Sequence, residues 1–477
     1  MEFINKIWTA LFNNVISRPQ IFIGIIVIVG YILMKKKWYE VFAGFIKAVV
    51  GYKLLQLGAS NLLATVNPII NGVKARFGIQ AVVVDPNFGL TAAQAALESI
   101  GESASFAMLT LLVAFLWNIL LLVLRKFTKI RTLQTTGHIM VKQSTVATWF
   151  VFFLLPQFRN MTGIVLVGIL CGTYWAVFSN LTVEATQDLT EHAGFAIGHQ
   201  QMLGVWFADK FAHLFGKKEE GVDNLKLSGF FSIFDDYTVG TSVIMMIFFG
   251  TLLLICGKDV MMEFDKNCTA KLWYGIYVIE TCCSFAVMLV ALKTGVRMFV
   301  SEMVESFKGI SSKMPGVMPA VDCAATYSFG ATNAVTLGFI FGAIGEVLAV
   351  ALLVIFKNPL LIIPGFVPMF YDNATLGLYA NNKGGFKALI AVCLGSGLLQ
   401  VLGSAFAINL FGMAEFGGYV GNLDYATLWP VIGLAMKYLA VPGMVLAIVG
   451  MLIIPQVQYR KNKENYWKVT EALEEDL

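Results

Sequence analysis

Hydrophobic residues in this chain run in long blocks separated by short polar breaks, and most blocks approach or exceed the roughly 20 residues that cross a hydrocarbon core about 30 Å thick. The blocks occupy 16–34, 39–57, 104–124, 138–155, 161–178, 240–257, 271–293, 333–356, 387–412 and 429–454. Each predicts a membrane-crossing α-helix. Three further segments are shorter or broken. Residues 193–215 carry His199, Asp209, Lys210 and His213, 317–331 is rich in small residues, and 359–370 holds Pro359, Pro364 and Pro368. Irregular backbone at membrane depth is tolerated only where protein buries it or where it lines a water-filled cavity. These segments therefore predict re-entrant or discontinuous elements in an all-α polytopic membrane protein.

Composition excludes a soluble class. Charged residues are 13% of the 477, about half the share of a typical globular chain, while 57% are hydrophobic, 38 are Phe and the mean hydropathy is +0.74. The seven cysteines show no metal-ligand spacing and most sit inside apolar blocks, so neither a disulfide framework nor a metal box is expected. The first 34 residues lack a small-residue cleavage site and end at Lys35-Lys36-Lys37, which predicts a retained first helix rather than a signal peptide. The net charge of +4 reflects juxtamembrane anchors and gives no support to nucleic-acid binding.

Positive clusters lie at Lys35–Lys37, at Arg125, Lys126, Lys129 and Arg131, at Lys217-Lys218, and at Arg460, Lys461 and Lys463. The positive-inside rule puts all of them on the cytoplasmic face, with the N-terminus outside and the C-terminal tail, 456–477, inside. An internal repeat is visible between the halves. Gly51-Tyr52-Lys53 opens a stretch leading to Asp85, as Gly295-Val296-Arg297 opens one leading to Asp322, and Thr110–Lys126 has a counterpart in Val335–Lys357. Repeats at about 10–215 and 235–455, joined by the cytoplasmic loop 216–228, form one transport unit of the kind that holds its site at the repeat interface.

The candidate chemistry is hydrogen bonding to a hydroxylated small molecule. No phosphate-binding glycine loop or dinucleotide fingerprint is present, no cofactor is implied, and no nucleophile–base set assembles from four histidines. Gln143, His199, Gln200 and Asp322 supply amide donors and acceptors, an imidazole and a carboxylate, the set that recognises a sugar or sugar acid. Asp322 sits among apolar residues, where a carboxylate accepts ligand hydroxyls, forms an internal pair or serves as a general base. His138 caps or lines the entrance beside Gly137, and Glu280 and Glu346 have no role beyond pairing. An ion-coupled transporter with an Asp322–His199 proton relay is an alternative reading.

These stretches carry a resemblance to a known family. Gly137-His138-Ile139-Met140, Gly194-Phe195-Ala196-Ile197-Gly198-His199-Gln200-Gln201, Gly295–Val300, Asp322-Cys323-Ala324-Ala325 and Leu361–Phe370 resemble the ascorbate-specific enzyme IIC permeases of the bacterial phosphoenolpyruvate-dependent phosphotransferase system. Galactitol-type permeases of the same superfamily are the nearest competing assignment. The resemblance implies about 11 transmembrane segments, a homodimer in the inner membrane, and a substrate core moving elevator-like against a V-shaped scaffold. It also implies phosphorylation of L-ascorbate by a separate cytoplasmic IIB protein, charged through IIA, HPr and enzyme I. The family's substrate contacts fall here on Ile139, Met140, Val141, Lys142 and Gln143, on His199 and Gln200, and on Asp322. Pro86 and Asn87 stand where relatives have a Thr-Tyr pair, and Lys142 stands in place of a Gln. For IIB the expected docking surface is Lys217–Glu220, Arg125–Arg131 and the tail.

Overall fold

The computed structural model describes residues 18–222, 225, 229, 236–311 and 316–470. The first 17 residues, most of 223–235, residues 312–315 and the last seven lie outside the described residues, and with them parts of the expected loop, tail and first repeat. The described chain is an all-α polytopic membrane protein. Among the described residues, eight helices are long and apolar enough to cross a bilayer. Two predicted crossings differ. The first helix, α1 (Pro19–Leu33), has 15 residues, and the block 138–155 is a helix enclosed by protein on nearly every side.

Two long helices, α2 (Trp38–Phe77) and later α11 (Tyr274–Ser311), cross at glycine. A Cβ on Gly295 would stand 2.6 Å from the Gly51 carbonyl oxygen and 2.3 Å from the Leu55 nitrogen. One on Gly51 would stand 2.8 Å from the Gly295 carbonyl oxygen. Small residues allow the two backbones to touch, which drives association where lipid offers no hydrophobic gain. The repeat motifs Gly51-Tyr52-Lys53 and Gly295-Val296-Arg297 thus meet at one crossing.

Each long helix ends in a short strand entering the protein interior. After α2 come β1 (Gln80–Val84), α3 (Pro86–Ser99), α4 (Ala104–Val123), β2 (Thr132–Gln134), α5 (Gly137–Leu154), α6 (Met161–Leu181), α7 (Val183–Leu189), β3 (Ala196–Ile197) and α8 (Met202–Phe211). A helix pair, α9 (Tyr237–Met245) and α10 (Thr251–Phe264), precedes α11. Then follow β4 (Met318–Val321), a 3-10 turn at Cys323–Ser328, α12 (Thr332–Ile355), β5 (Leu360–Pro364), α13 (Asn373–Leu410), β6 (Gly418–Tyr419) and α14 (Leu423–Lys461). Both α13 and α14 break sharply, at Gly385 (φ 64°) and at Ala440 (φ 51°).

The strands form two parallel three-stranded sheets, β5-β1-β6 and β2-β4-β3. Each half of the chain gives one strand to the centre of a sheet whose flanking strands come from the other half. Hydrogen-bonded strands satisfy backbone groups that no water would reach there. All three segments read as re-entrant or discontinuous, 193–215, 317–331 and 359–370, contain one of these strands.

Candidate substrate site

The C-terminal ends of the strands deliver the polar residues. Asp85 follows β1 and Asp322 follows β4, and the two carboxylates do equivalent work. Asp85 Oδ1 accepts from the Asn87 N–H (2.8 Å), capping α3, while its Oδ2 accepts from the Val367 N–H (3.0 Å) beyond β5. Asp322 Oδ1 accepts from the Ala324 N–H (3.0 Å), capping the 3-10 turn, and its Oδ2 faces His138 Nε2 at 3.3 Å beyond β2. Asp85 is buried and filled by backbone donors. Asp322 and His138 are partly exposed, with side-chain exposures of 38% and 32%. The two halves therefore build similar turns, and the second leaves a carboxylate–imidazole pair open.

A cavity of about 110 Å³ forms at that pair, lined among others by Asn87, Ile139, Lys142, His199, Arg297 and Tyr371. His199 is held by its Nδ1, 2.6 Å from Gln201 Oε1, which also accepts the Gln200 N–H. An oxygen bonded to a backbone N–H accepts from the imidazole too, so Nδ1 carries a proton, and in the neutral form of His199 Nε2 is then the acceptor. Beyond His138, Asp322 and Arg297 the cavity continues into a wider vestibule of about 850 Å³, reaching Ser301 and Glu305. Glu305 pairs with Lys36 at 3.0 Å.

His138, His199 and Asp322 bring ligand atoms within 4.8 Å of one another, a grouping that suits a cation by geometry. Charge opposes it: Lys142, Lys293 and Arg297 line the same cavity, and a divalent ion would meet all three. The donors and acceptors present suit a compact polyhydroxyl guest.

A family model described as PTS system sugar-specific permease component matches residues 14–424. The chain belongs to this permease family. It is also similar to the Ascorbate-specific PTS system EIIC component of Mycoplasma pneumoniae, 31% identical over 445 residues that cover 85% of this chain and 67% of that relative.

The permease's sequence-selected residues divide into three groups. Asn87, Ile139, Lys142, His199 and Asp322 line the cavity. Gln143 and Gln200 are buried behind it: Gln143 Nε2 donates to the His199 carbonyl (3.1 Å), and neither amide atom of Gln200 meets a partner among the described residues. Met140 and Val141 point into the apolar core, and Pro86 occupies the first turn of α3, where its missing N–H costs nothing. His138, read as an entrance or capping residue, is part of the lining and partners Asp322. Lys293 and Arg297 were missed as site residues. They lay at the end of, and just past, the block 271–293, and two cations one turn apart on an apolar helix were the available signal. Glu346, expected to be paired, is buried with no hydrogen-bond partner on either oxygen among the described residues.

Arg131 corrects the docking surface. Its side chain is fully buried, 2.7 Å from Glu184 and stacked at 3.7 Å on Tyr466. Arg125 donates to the Gly316 carbonyl (3.1 Å) and lies over Trp467. Of that basic run, Lys126 is the exposed cation and Lys129 is partly exposed, over Tyr459.

Proposed function

We propose that this permease carries L-ascorbate across the bacterial inner membrane and presents it for phosphorylation by a cytoplasmic IIB protein. The observation that carries this reading is a cavity built on Asp322, His138 and His199 in a chain 31% identical to an ascorbate-specific relative. Asp322 Oδ2 and the acceptor nitrogen of His199 take ligand hydroxyl protons, while Asn87 and Lys142 donate. Gln143 acts behind them, holding the His199 backbone in place. The pocket binds, and the partner supplies the phosphoryl group. Asp322 is the group available to accept the hydroxyl proton released in that transfer.

The reciprocal strands support reading 10–215 and 235–455 as inverted repeats, with alternating access by elevator-like movement of a core against a scaffold in a homodimer. The vestibule leads to the Lys36–Glu305 pair, on the face that the positive-inside rule assigns to the cytoplasm. This conformation is accordingly open inward, the state that meets IIB. Lys126, Lys129 and the Lys217–Glu220 loop form the docking face in this reading.

The test is equilibrium binding of radiolabelled ascorbate and of galactitol to the purified chain. The reading expects ascorbate to bind and His199→Ala or Asp322→Asn to weaken it at least about tenfold. Preference for galactitol would transfer the assignment to the polyol branch of the family.

A further inference from the structure

The ring of His199 lines the cavity, but the group that fixes it lies one layer behind, on Gln201. Gln201 is fully buried at the N-terminal end of α8 and outside the cavity lining. A planar amide has one acceptor end and one donor end, and neighbours set both. At the acceptor end, Oε1 receives the Gln200 N–H at 3.0 Å, and a backbone N–H can only donate. At the other end, Nε2 faces Thr375 Oγ1 on α13 at 3.4 Å. The Thr375 hydroxyl gives its single proton to the Tyr371 carbonyl at 2.6 Å, which leaves its oxygen to accept. Gln201 therefore stands with its oxygen toward His199 Nδ1.

The same Thr375 oxygen lies 3.2 Å from the Tyr327 hydroxyl, in the 3-10 turn that Asp322 caps. One run of hydrogen bonds thus joins His199, α13 and the turn carrying the site's carboxylate. Among the described residues the His199 ring has no other hydrogen-bond partner than Gln201. A free imidazole in water favours the opposite tautomer, with its proton on Nε2. The proton stays on Nδ1 here because Gln201 Oε1 accepts it.

We infer that Gln201 is a positioning residue that sets ligand specificity through His199: by holding the proton on Nδ1 it keeps Nε2 bare, so the cavity requires a hydroxyl donor at that point and rejects a guest that offers only an acceptor. This rests on the permease reading above and adds to it a residue the guest does not touch. A site built to pair with a hydroxyl discriminates strongly, since the wrong guest leaves its buried polar groups unpaired.

Two substitutions separate this role from packing. Gln201→Met removes the acceptor. Gln201→Glu keeps an oxygen in the same place and adds a negative charge, which favours the imidazolium, and the imidazolium donates from Nε2 instead of accepting. The other charged and titratable groups around His199 are common to every variant: Asp322, His138, Lys142, Lys293, Arg297 and Tyr371 in the cavity wall, and Cys323 beside Gln201 and Thr375.

The experiment is nitrogen-15 NMR of the histidine-labelled full chain in lipid, with the His199 signals assigned by their loss in His199→Ala, alongside ascorbate binding as a function of pH. At neutral pH the unaltered, ligand-free protein shows Nδ1 protonated and Nε2 bare. In Gln201→Met the proton moves to Nε2 and ascorbate affinity falls at least about tenfold. In Gln201→Glu the affinity stays within about threefold of the unaltered protein in alkaline solution, and as the pH falls it is lost about one unit or more sooner. Thr375→Val, which releases the donor end of the amide, gives a smaller loss of the same kind. A proton on Nε2 of the unaltered protein at neutral pH overturns the inference, as does full affinity in a folded Gln201→Met or a Gln201→Glu profile that coincides with the unaltered one. If Gln201→Met fails to fold, the unaltered spectrum and the Gln201→Glu profile decide. A chain that binds galactitol and not ascorbate overturns the ascorbate reading, and the inference then stands or falls on the same shift in the galactitol profile of Gln201→Glu.

Discussion

The family resemblance assigns Gln200 to substrate binding, a role that would set its contributions to function and to stability against each other. It is fully buried behind His199 with both amide atoms unpartnered among the described residues, and a buried polar group without a hydrogen bond costs about 1–3 kcal/mol. Gln200→Met should therefore keep or raise the thermal midpoint of the detergent-solubilised protein while reducing ascorbate binding; a lower midpoint with intact binding would contradict this. Asp85 is the opposite case, because its carboxylate fills two backbone donors. Asp85→Ala leaves those N–H groups unpaired and should lower stability by about 2–4 kcal/mol, read as loss of monodisperse protein on heating. Its counterpart Asp322, partly open to the cavity, should show the reverse pattern in Asp322→Asn: weak binding and near-normal stability.

At the scale of elements, the crossing of α2 and α11 sets the frame for the site, since α11 carries Lys293 and Arg297 immediately beside it. Gly295→Leu forces a side chain against the Gly51 carbonyl and the Leu55 nitrogen. Overpacking of that kind costs about 1–3 kcal/mol or more and should lower both folded yield and ligand affinity; normal values for both would show that the helices part without cost. Ala440, at φ 51° and ψ −130° between the two arms of α14, holds a backbone conformation suited to glycine. Ala440→Gly should raise stability by about 1 kcal/mol, measured as a higher thermal midpoint, and a lower one would contradict the geometry.

These elements also mark what the sequence made legible. Long apolar blocks announce helices because a bilayer demands about 20 apolar residues, and the broken segments 193–215, 317–331 and 359–370 announced where the backbone is irregular. The strands themselves did not show. Thr132–Gln134, Ala196–Ile197 and Gly418–Tyr419 are two or three residues long, too short for any periodicity, and they exist because distant segments pair. The carboxylate and imidazoles of the site were legible as polar groups in apolar surroundings. Arg297 was visible as a repeat marker and missed as a lining residue, because only the fold turns that face of α11 toward the cavity. His138 was likewise assigned to the entrance because its partner, Asp322, lies 184 residues further along the chain.

The vestibule passes Ser301 toward the Lys36–Glu305 pair. A Ser301→Cys variant should thus react with a membrane-impermeant thiol reagent from the cytoplasmic side and be protected by ascorbate; reaction from the opposite side alone would reverse the orientation. Charge reversal at Lys126 and Lys129 should weaken phosphorylation more than binding, because both lie away from the cavity. The most direct test of the central claim is uptake of radiolabelled ascorbate by proteoliposomes containing this chain, with and without phosphorylated IIB inside, followed by analysis of the trapped product. The account predicts ascorbate phosphate, formed only when IIB is present and lost in His199→Ala. Free ascorbate accumulating on an ion gradient without IIB would contradict it.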